Sequence, residues 1–236
     1  MNAARGATFL NNMFADAKLF NQDISNLDVS HVTNMSGMFK GASSFNQDLS
    51  NWDVSHVTEM SYMFKKASSF NSPLNWGSKI SSVINMTGMF KGATSFNQDI
   101  SGWDVSHVTS MGQSSGNNDG MFQEATSFNQ DISAWNVANV QNFTFMFRDA
   151  TSFNQNLGAW KLANALDVYD IFVGSGMSCE NYSATLAGWA AQPESWHNVN
   201  TVEPHYSLNR LQKYNAQGLA ARTYYEIGRA SCRERV

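Results

Sequence analysis

Aspartates recur along this chain at spacings that would line them up on one surface. Asp28 and Asp53 lie 25 residues apart, Asp104 falls in the same phase, and Asn136 and Lys161 continue it, with Gly77 interrupting the run. Carboxylates stacked about 5 Å apart repel one another, so such a column invites a cation, an amide neighbour or a basic partner. Asp28, Asp53, Asp104, Asn136 and Lys161 are therefore the expected partner-binding strip, set against the plainer reading of a solvated polar column. A second column, Asp23, Asp48, Asp99 and Asp131, sits inside Asn-Gln-Asp. Calcium takes several oxygen ligands, but the spacing is not the glycine-rich nonapeptide of calcium-binding β-rolls. Backbone hydrogen bonding in a turn is the expectation, and no metal or cofactor is assigned. His31, His56 and His107 share a phase, yet only the first two would be neighbours, and two imidazoles without a third ligand make a weak metal site. Cys179 follows Ser178 at a possible helix start, which can lower a thiol pKa, but no His stands in a cysteine-protease context. No catalytic constellation emerges, and the chain reads as non-enzymatic.

What would position these columns is a repeat. The Phe of Phe-Asn-Gln recurs at Phe20, Phe45, Phe70, Phe96, Phe128 and Phe153, in steps of 25, 25, 26, 32 and 25. A second Phe falls six residues earlier each time, from Phe14 to Phe147, and Phe172 keeps the phase once more. Leu27, Trp52, Trp103, Trp135 and Trp160 hold a third phase, with Trp76 one residue short. The 32-residue step absorbs a seven-residue insertion of loop composition within Gly112 to Gly120.

Inside a unit, Thr33, Met35, Met38, Phe39 and Ala42 read as a helix N-cap followed by apolar residues at helical spacing. Leu49 to Ser55 alternates around Trp52 and Val54 as a short strand would. The expected fold is an α/β repeat, a leucine-rich-repeat-like solenoid of about seven 25-residue coils, each with a short parallel strand and a short helix. One coil cannot bury its own face, so stacking must stabilise it. A strand-only β-helix is the runner-up. The Asn column from Asn21 to Asn154 is expected as a buried ladder serving loop amides from coil to coil.

The solenoid is assigned to residues 1–176, with the insertion loop at 112–120. A helical end piece, 177–225, would cap it, with Tyr182, Leu186 and Trp189 at helical spacing and Leu208 to Arg222 as a second helix. Over the 236 residues only 14% are charged and the net charge is −4, against about 25% charged in ordinary soluble domains. No basic patch suits nucleic acid, and no apolar run approaches the ~20 residues of a membrane span. Lys40, Lys65, Lys66, Lys79, Lys91 and Arg148 mostly follow Met-Phe, away from the Asp strip, which argues against a polysaccharide-cleaving site.

The unit FNQDISxWDVSHVTxMxxMFxxAxS resembles the BspA-like leucine-rich-repeat surface proteins, over about Thr8 to Gly176. Gly176 to Gln192 resembles the segment that follows the last repeat in such proteins. The resemblance implies an exported module, extracellular or at the cell surface, that binds or adheres to a protein or glycoprotein ligand and is not an enzyme. A polysaccharide-acting solenoid enzyme and a structural spacer are the alternatives. Thr8 enters the repeat mid-unit. Glu226 to Val236, EIGRASCRERV, carries three Arg in eleven residues and resembles a translated sequencing-library adapter. The expectation is a fragment of a longer protein with a non-native tail at 226–236.

Overall fold

Side chains that recur in sequence recur in space as columns. The computed structural model describes residues 8–113 and 118–192. From Phe14 to Phe172 the first Phe column stacks with ring centroids 5.5–5.8 Å apart. The Phe20 to Phe153 column stacks at 5.8–6.1 Å, and within each unit the two rings pair at 3.9–4.1 Å. Each buried Trp adds a satisfied donor to its apolar area. The indole N–H of Trp52 donates to the Ile24 carbonyl, Trp76 to Leu49, Trp103 to Leu74, Trp135 to Ile100 and Trp160 to Ile132, all at 3.0–3.1 Å. Every one of these carbonyls belongs to the preceding unit.

The backbone differs from the sequence expectation. No helix forms over Thr33–Ala42, where the chain runs as linked turns: Met38 N–H bonds the Met35 carbonyl, Lys40 bonds Gly37, and Ala42 bonds Phe39. Alternate peptides point along the stack instead. The N–H groups of Met35, Gly37, Phe39 and Gly41 donate to Glu59, Ser61, Met63 and Lys65 at 2.7–2.9 Å. The carbonyls of those same peptides, on Asn34, Ser36, Met38 and Lys40, accept from Leu10, Asn12, Phe14 and Asp16. These four axial peptides share one direction, whereas the N–H groups of Thr33 and Ser44 point back to Thr8 and Lys18. Parallel bridges run through Phe9, Asn34, Glu59, Asn85, Ser110, Asn142 and Asp167.

The cause is a pair of left-handed residues four apart, as at Gly37 and Gly41, Tyr62 and Lys66, and Gly88 and Gly92; the unit that follows the insertion keeps Glu124 without a left-handed residue at Gly120. A right-handed helix cannot contain them. Thr33, expected as a helix cap, instead gives both its N–H and its hydroxyl to the Thr8 carbonyl, at 2.8 and 3.2 Å. The strand expected over Leu49–Ser55 is also replaced by turns, closed by Trp52 N–H to Leu49 and Val57 N–H to Val54.

Gly88 tests this backbone. Its φ is +61°, and a Cβ there would lie 2.7 Å from the Tyr62 ring. Gly88→Ala is expected to destabilise by about 1–3 kcal/mol, whereas Gly102→Ala, with nothing within 4 Å of its Cβ, leaves the urea midpoint unchanged. Equal midpoints for the two variants would contradict the left-handed turn.

The insertion leaves and rejoins the stack as a hairpin, β1 (Gly112–Gln113) antiparallel to β2 (Asp119–Gly120). Met121 N–H bonds the Met111 carbonyl at 2.8 Å, closing the excursion without disturbing the frame. After the last unit comes α1 (Cys179–Ala190), whose N-cap Ser178 accepts the Asn181 N–H at 3.2 Å. It buries Tyr182, Leu186 and Trp189. Trp189 continues the indole series by donating to the Leu157 carbonyl at 2.7 Å, so α1 occupies the place of a further unit. The approach is close: a Cβ on Gly188 would come within 2.4 Å of the Gly158 Cα. The second helix expected at Leu208 to Arg222 and the tail at 226–236 lie outside the described residues. Among the described residues no helix is long and apolar enough to cross a membrane.

Candidate functional site

The expected strip occupies one outward column, one residue per unit. Asp28, Asp53, Asn136 and Lys161 are exposed and Asp104 is half-buried. They stand out because Trp52 and Val54, on either side of Asp53, point inward and are buried. Each carboxylate also folds its own corner. Asp28 Oδ1 accepts the Ser30 N–H at 3.1 Å and its hydroxyl at 2.7 Å, while Asp53 and Asp104 accept the N–H groups of Ser55 and Ser106 at 3.1 Å. Asn136 makes the same turn with the Ala138 N–H at 3.3 Å. These are Asx turns, a side-chain mimic of a backbone turn. The Ser55 hydroxyl and N–H hold the Asp53 carboxyl below its ordinary range, with smaller help from Lys79 and His56. Ser106 does the same for Asp104. The chain thus places two Asp in adjacent units, a gap at Gly77, and then the series Asp104, Asn136, Lys161.

The second column resolves into the same motif. Asp23, Asp48, Asp99 and Asp131 accept the N–H of Ser25, Ser50, Ser101 and Ser133 at 2.8–2.9 Å. Turn bonding therefore accounts for these carboxylates. A third Asx-like corner falls on the bridge residues, where Asn34, Glu59, Asn85 and Asp167 accept from the residue two ahead at 2.8–2.9 Å.

The Asn ladder exists, but on the surface and not in the core as expected. Asn46 N–H bonds Asn21 Oδ1, Asn71 bonds Asn46, and the series continues through Asn97, Asn129 and Asn154 to Ser178 at 2.7–2.9 Å. The reason is local: the preceding Phe turns inward, so the Asn that follows faces out.

His31, His56 and His107 are exposed, the latter two with Nδ1 beside the Ser55 and Ser106 hydroxyls. Cys179 carries no free thiol. Among the described residues no group of three or more His, Cys, Asp or Glu could hold a metal ion.

One charged cluster escaped the sequence reading. Asp119, on β2, is 1% exposed and lies between Lys65 Nζ at 3.0 Å and Lys91 Nζ at 2.7 Å. Burial pushes its carboxyl up, but hydrogen bonds and charge from Lys91 and Lys65 outweigh that and bring it below the ordinary value. Tyr62 donates to Gln113 Oε1 at 3.0 Å. Burial, reinforced by the Asp119 charge, pushes this phenol up to about 12. The insertion hairpin is clasped onto two earlier units by these contacts. A signal was present: Lys65 and Lys91 share a phase, so their ammonium groups meet in adjacent units and need an acid, and Asp119 is the one acid in the insertion.

A protein family described as "Mycoplasma protein of unknown function, DUF285" matches the chain over residues 4–80 and 75–189. No curated protein and no solved structure matches it.

Proposed function

The chain belongs to the DUF285 family of Mycoplasma proteins of unknown function, and from that premise we propose that it is a non-enzymatic binding module. In this reading the stacked units form a leucine-rich-repeat-like solenoid, secreted or held at the cell surface, that engages a protein or glycoprotein through Asp28, Asp53, Asp104, Asn136 and Lys161. The resemblance of the repeats to BspA-like surface proteins supports the location and the class of ligand. The observation that carries the binding reading is the column itself: side chains of differing charge, one per unit, held outward by a backbone whose corners are fixed by hydrogen bonds. Preorganised polar groups bind with less ordering cost than mobile ones.

One observation favours the spacer reading instead. Oδ1 of each Asp already serves its own turn, so the column has a reason to exist without a ligand.

The triple variant Asp28→Asn, Asp53→Asn, Asp104→Asn separates the two. Asn136 shows that an amide makes this turn, so the variant keeps its fold while losing three charges. On an array of glycoproteins and basic proteins, capture by the parent should fall at least tenfold in the variant. Undiminished capture would move the binding surface elsewhere, and a parent that captures nothing supports the spacer.

A further inference from the structure

The interruption of the Asp column at Gly77 is not neutral. Trp76 and Val83 are seven residues apart where Trp52 and Val57 are five. The longer connection forms a single 3₁₀ turn, Gly77–Ile80, on which Lys79 is exposed. The Lys79 ammonium approaches the Trp52 carbonyl at 3.5 Å, beside Asp53, and the Gly77 carbonyl accepts the Asp104 N–H at 3.3 Å. The turn therefore lies between those two carboxylates. From the first unit to the sixth the column reads Asp28, Asp53, Lys79, Asp104, Asn136, Lys161.

In reverse, that order is its own complement. Laid antiparallel on a second copy, Asp28 meets Lys161, Asp53 meets Asn136 and Lys79 meets Asp104, and the other three positions repeat those pairs. Laid parallel, every residue meets its own kind and the charges repel. The flanking columns obey the same rule. Two residues before the strip, in the turn that Trp52 N–H closes on Leu49, an exposed column holds Asn26, Asn51 and Asn75 in the first three units and Gly102, Ala134 and Ala159 in the last three. Antiparallel pairing sets each of these amides against a minimal side chain. Three residues after the strip, in the Val54–Val57 turn and its equivalents, the exposed His31, His56 and His107 meet Asn164, Asn139 and Ser82. No imidazole then faces another. All three columns share one two-fold axis between the third and fourth units, as an isologous interface requires. Successive rings of the Phe20 column tilt by only 1–9°, so the stack bends little and the columns stay in step.

We propose that this face is a homodimer interface, in which the strip of one chain lies antiparallel on the strip of a second copy. The inference rests on the reading of the column as a partner-binding strip, and names that partner. A carboxylate has acceptor sites beyond the one bond that fixes its turn, so the Asx corners and the pairing are compatible. At about 4.8 Å per unit the strip spans about 24 Å. That is too small a patch for a permanent interface, so the dimer is weak and salt-sensitive.

Sedimentation equilibrium of the whole chain tests this. Concentration-dependent dimerisation is expected, weakened at least tenfold between 50 and 500 mM NaCl. Lys161→Glu changes an exposed side chain and should weaken it at least tenfold, because two carboxylates then meet. Asp28→Lys alone should weaken it too, although it brings the net charge closer to zero. Combining the two should restore the parent's association. They lie at opposite ends of the strip, so only contact between copies can couple them. Asp104→Asn, which keeps its turn as Asn136 does, is a second route and should also weaken the dimer. A parent that stays monomeric at 500 μM overturns the proposal; if capture on the array still falls in the triple Asp→Asn variant, the binding reading stands without it. A dimer indifferent to Lys161→Glu puts the contact on another face and overturns it as well. Loss with Lys161→Glu that Asp28→Lys does not repair refutes the antiparallel register, and the proposal with it.

Discussion

Trp103→Ala is expected to remove about 3–5 kcal/mol of stability, which for a chain of this size lowers the melting temperature by roughly 2–4 °C per kcal/mol. Three losses coincide at this residue. The ring is 5% exposed and lies between Trp76, at 5.7 Å, and Trp135, at 6.5 Å, so truncation opens a cavity that its stacked neighbours cannot close. It also contacts Phe90 at 6.3 Å, tying the indole column to the Phe column. Its N–H leaves the Leu74 carbonyl without that donor, and an unmet buried polar group adds its own penalty. Trp103→Phe separates the terms by keeping most of the ring while deleting the donor, and should cost less. Thermal melting followed by circular dichroism checks both, and an alanine variant melting within a degree or two of the parent would contradict the stacked core.

The Asp119 clasp carries the second large effect. Asp119→Ala leaves two ammonium groups, 13% and 11% exposed, facing each other with no counter-charge. Breaking one side of a buried ion cluster costs about 3–5 kcal/mol. Replacing Lys65 and Lys91 with Met and Asp119 with Leu together should recover most of that loss, because the desolvation cost disappears with the charges. Urea denaturation of the single and triple variants measures the difference, and equal midpoints for parent and Asp119→Ala would refute the clasp. Its pH dependence has a definite sign. The folded pKa of Asp119 is depressed, so its contribution is complete above the unfolded value near 4 and is lost as pH falls through the folded value. Asp23, Asp53, Asp99, Asp104 and Asp131 are depressed by their serine partners and act in the same direction. Stability should be level from about pH 7 to 5 and decline below about 4.

How far the sequence disclosed this can be seen residue by residue. Phe20 to Phe153, Trp52 to Trp160 and the helix over Tyr182, Leu186 and Trp189 were legible because side-chain periodicity reports burial directly. The path of the backbone between those side chains was not. Met35, Met38, Phe39 and Ala42 satisfy a helical period, yet the same inward spacing is made by linked turns. The correcting signal lay in Gly37, Gly41, Gly88 and Gly92, four apart in two units, since a helix interior disfavours glycine by about 1 kcal/mol each. Tyr62 and Lys66 at the same positions concealed it. The outward column at Asp28, Asp53 and Asp104 was legible from the alternation with Trp52 and Val54. Its turn bonds depend on the corner conformation at Ser30, Ser55 and Ser106, which the misread strand hid. Asp119 went unseen because a contact 54 residues back to Lys65 has no period.

The central claim is that each unit is a set of linked turns whose alternate peptides join its neighbours, with no α-helix in the repeat among the described residues. Residue-specific backbone chemical shifts from NMR test it most directly. The account predicts helical Cα and carbonyl shifts at Cys179–Ala190 and left-handed shifts at Tyr62, Lys66 and Asp149. Continuous helical shifts through Met35 to Ala42 and Met60 to Ala67 would contradict it.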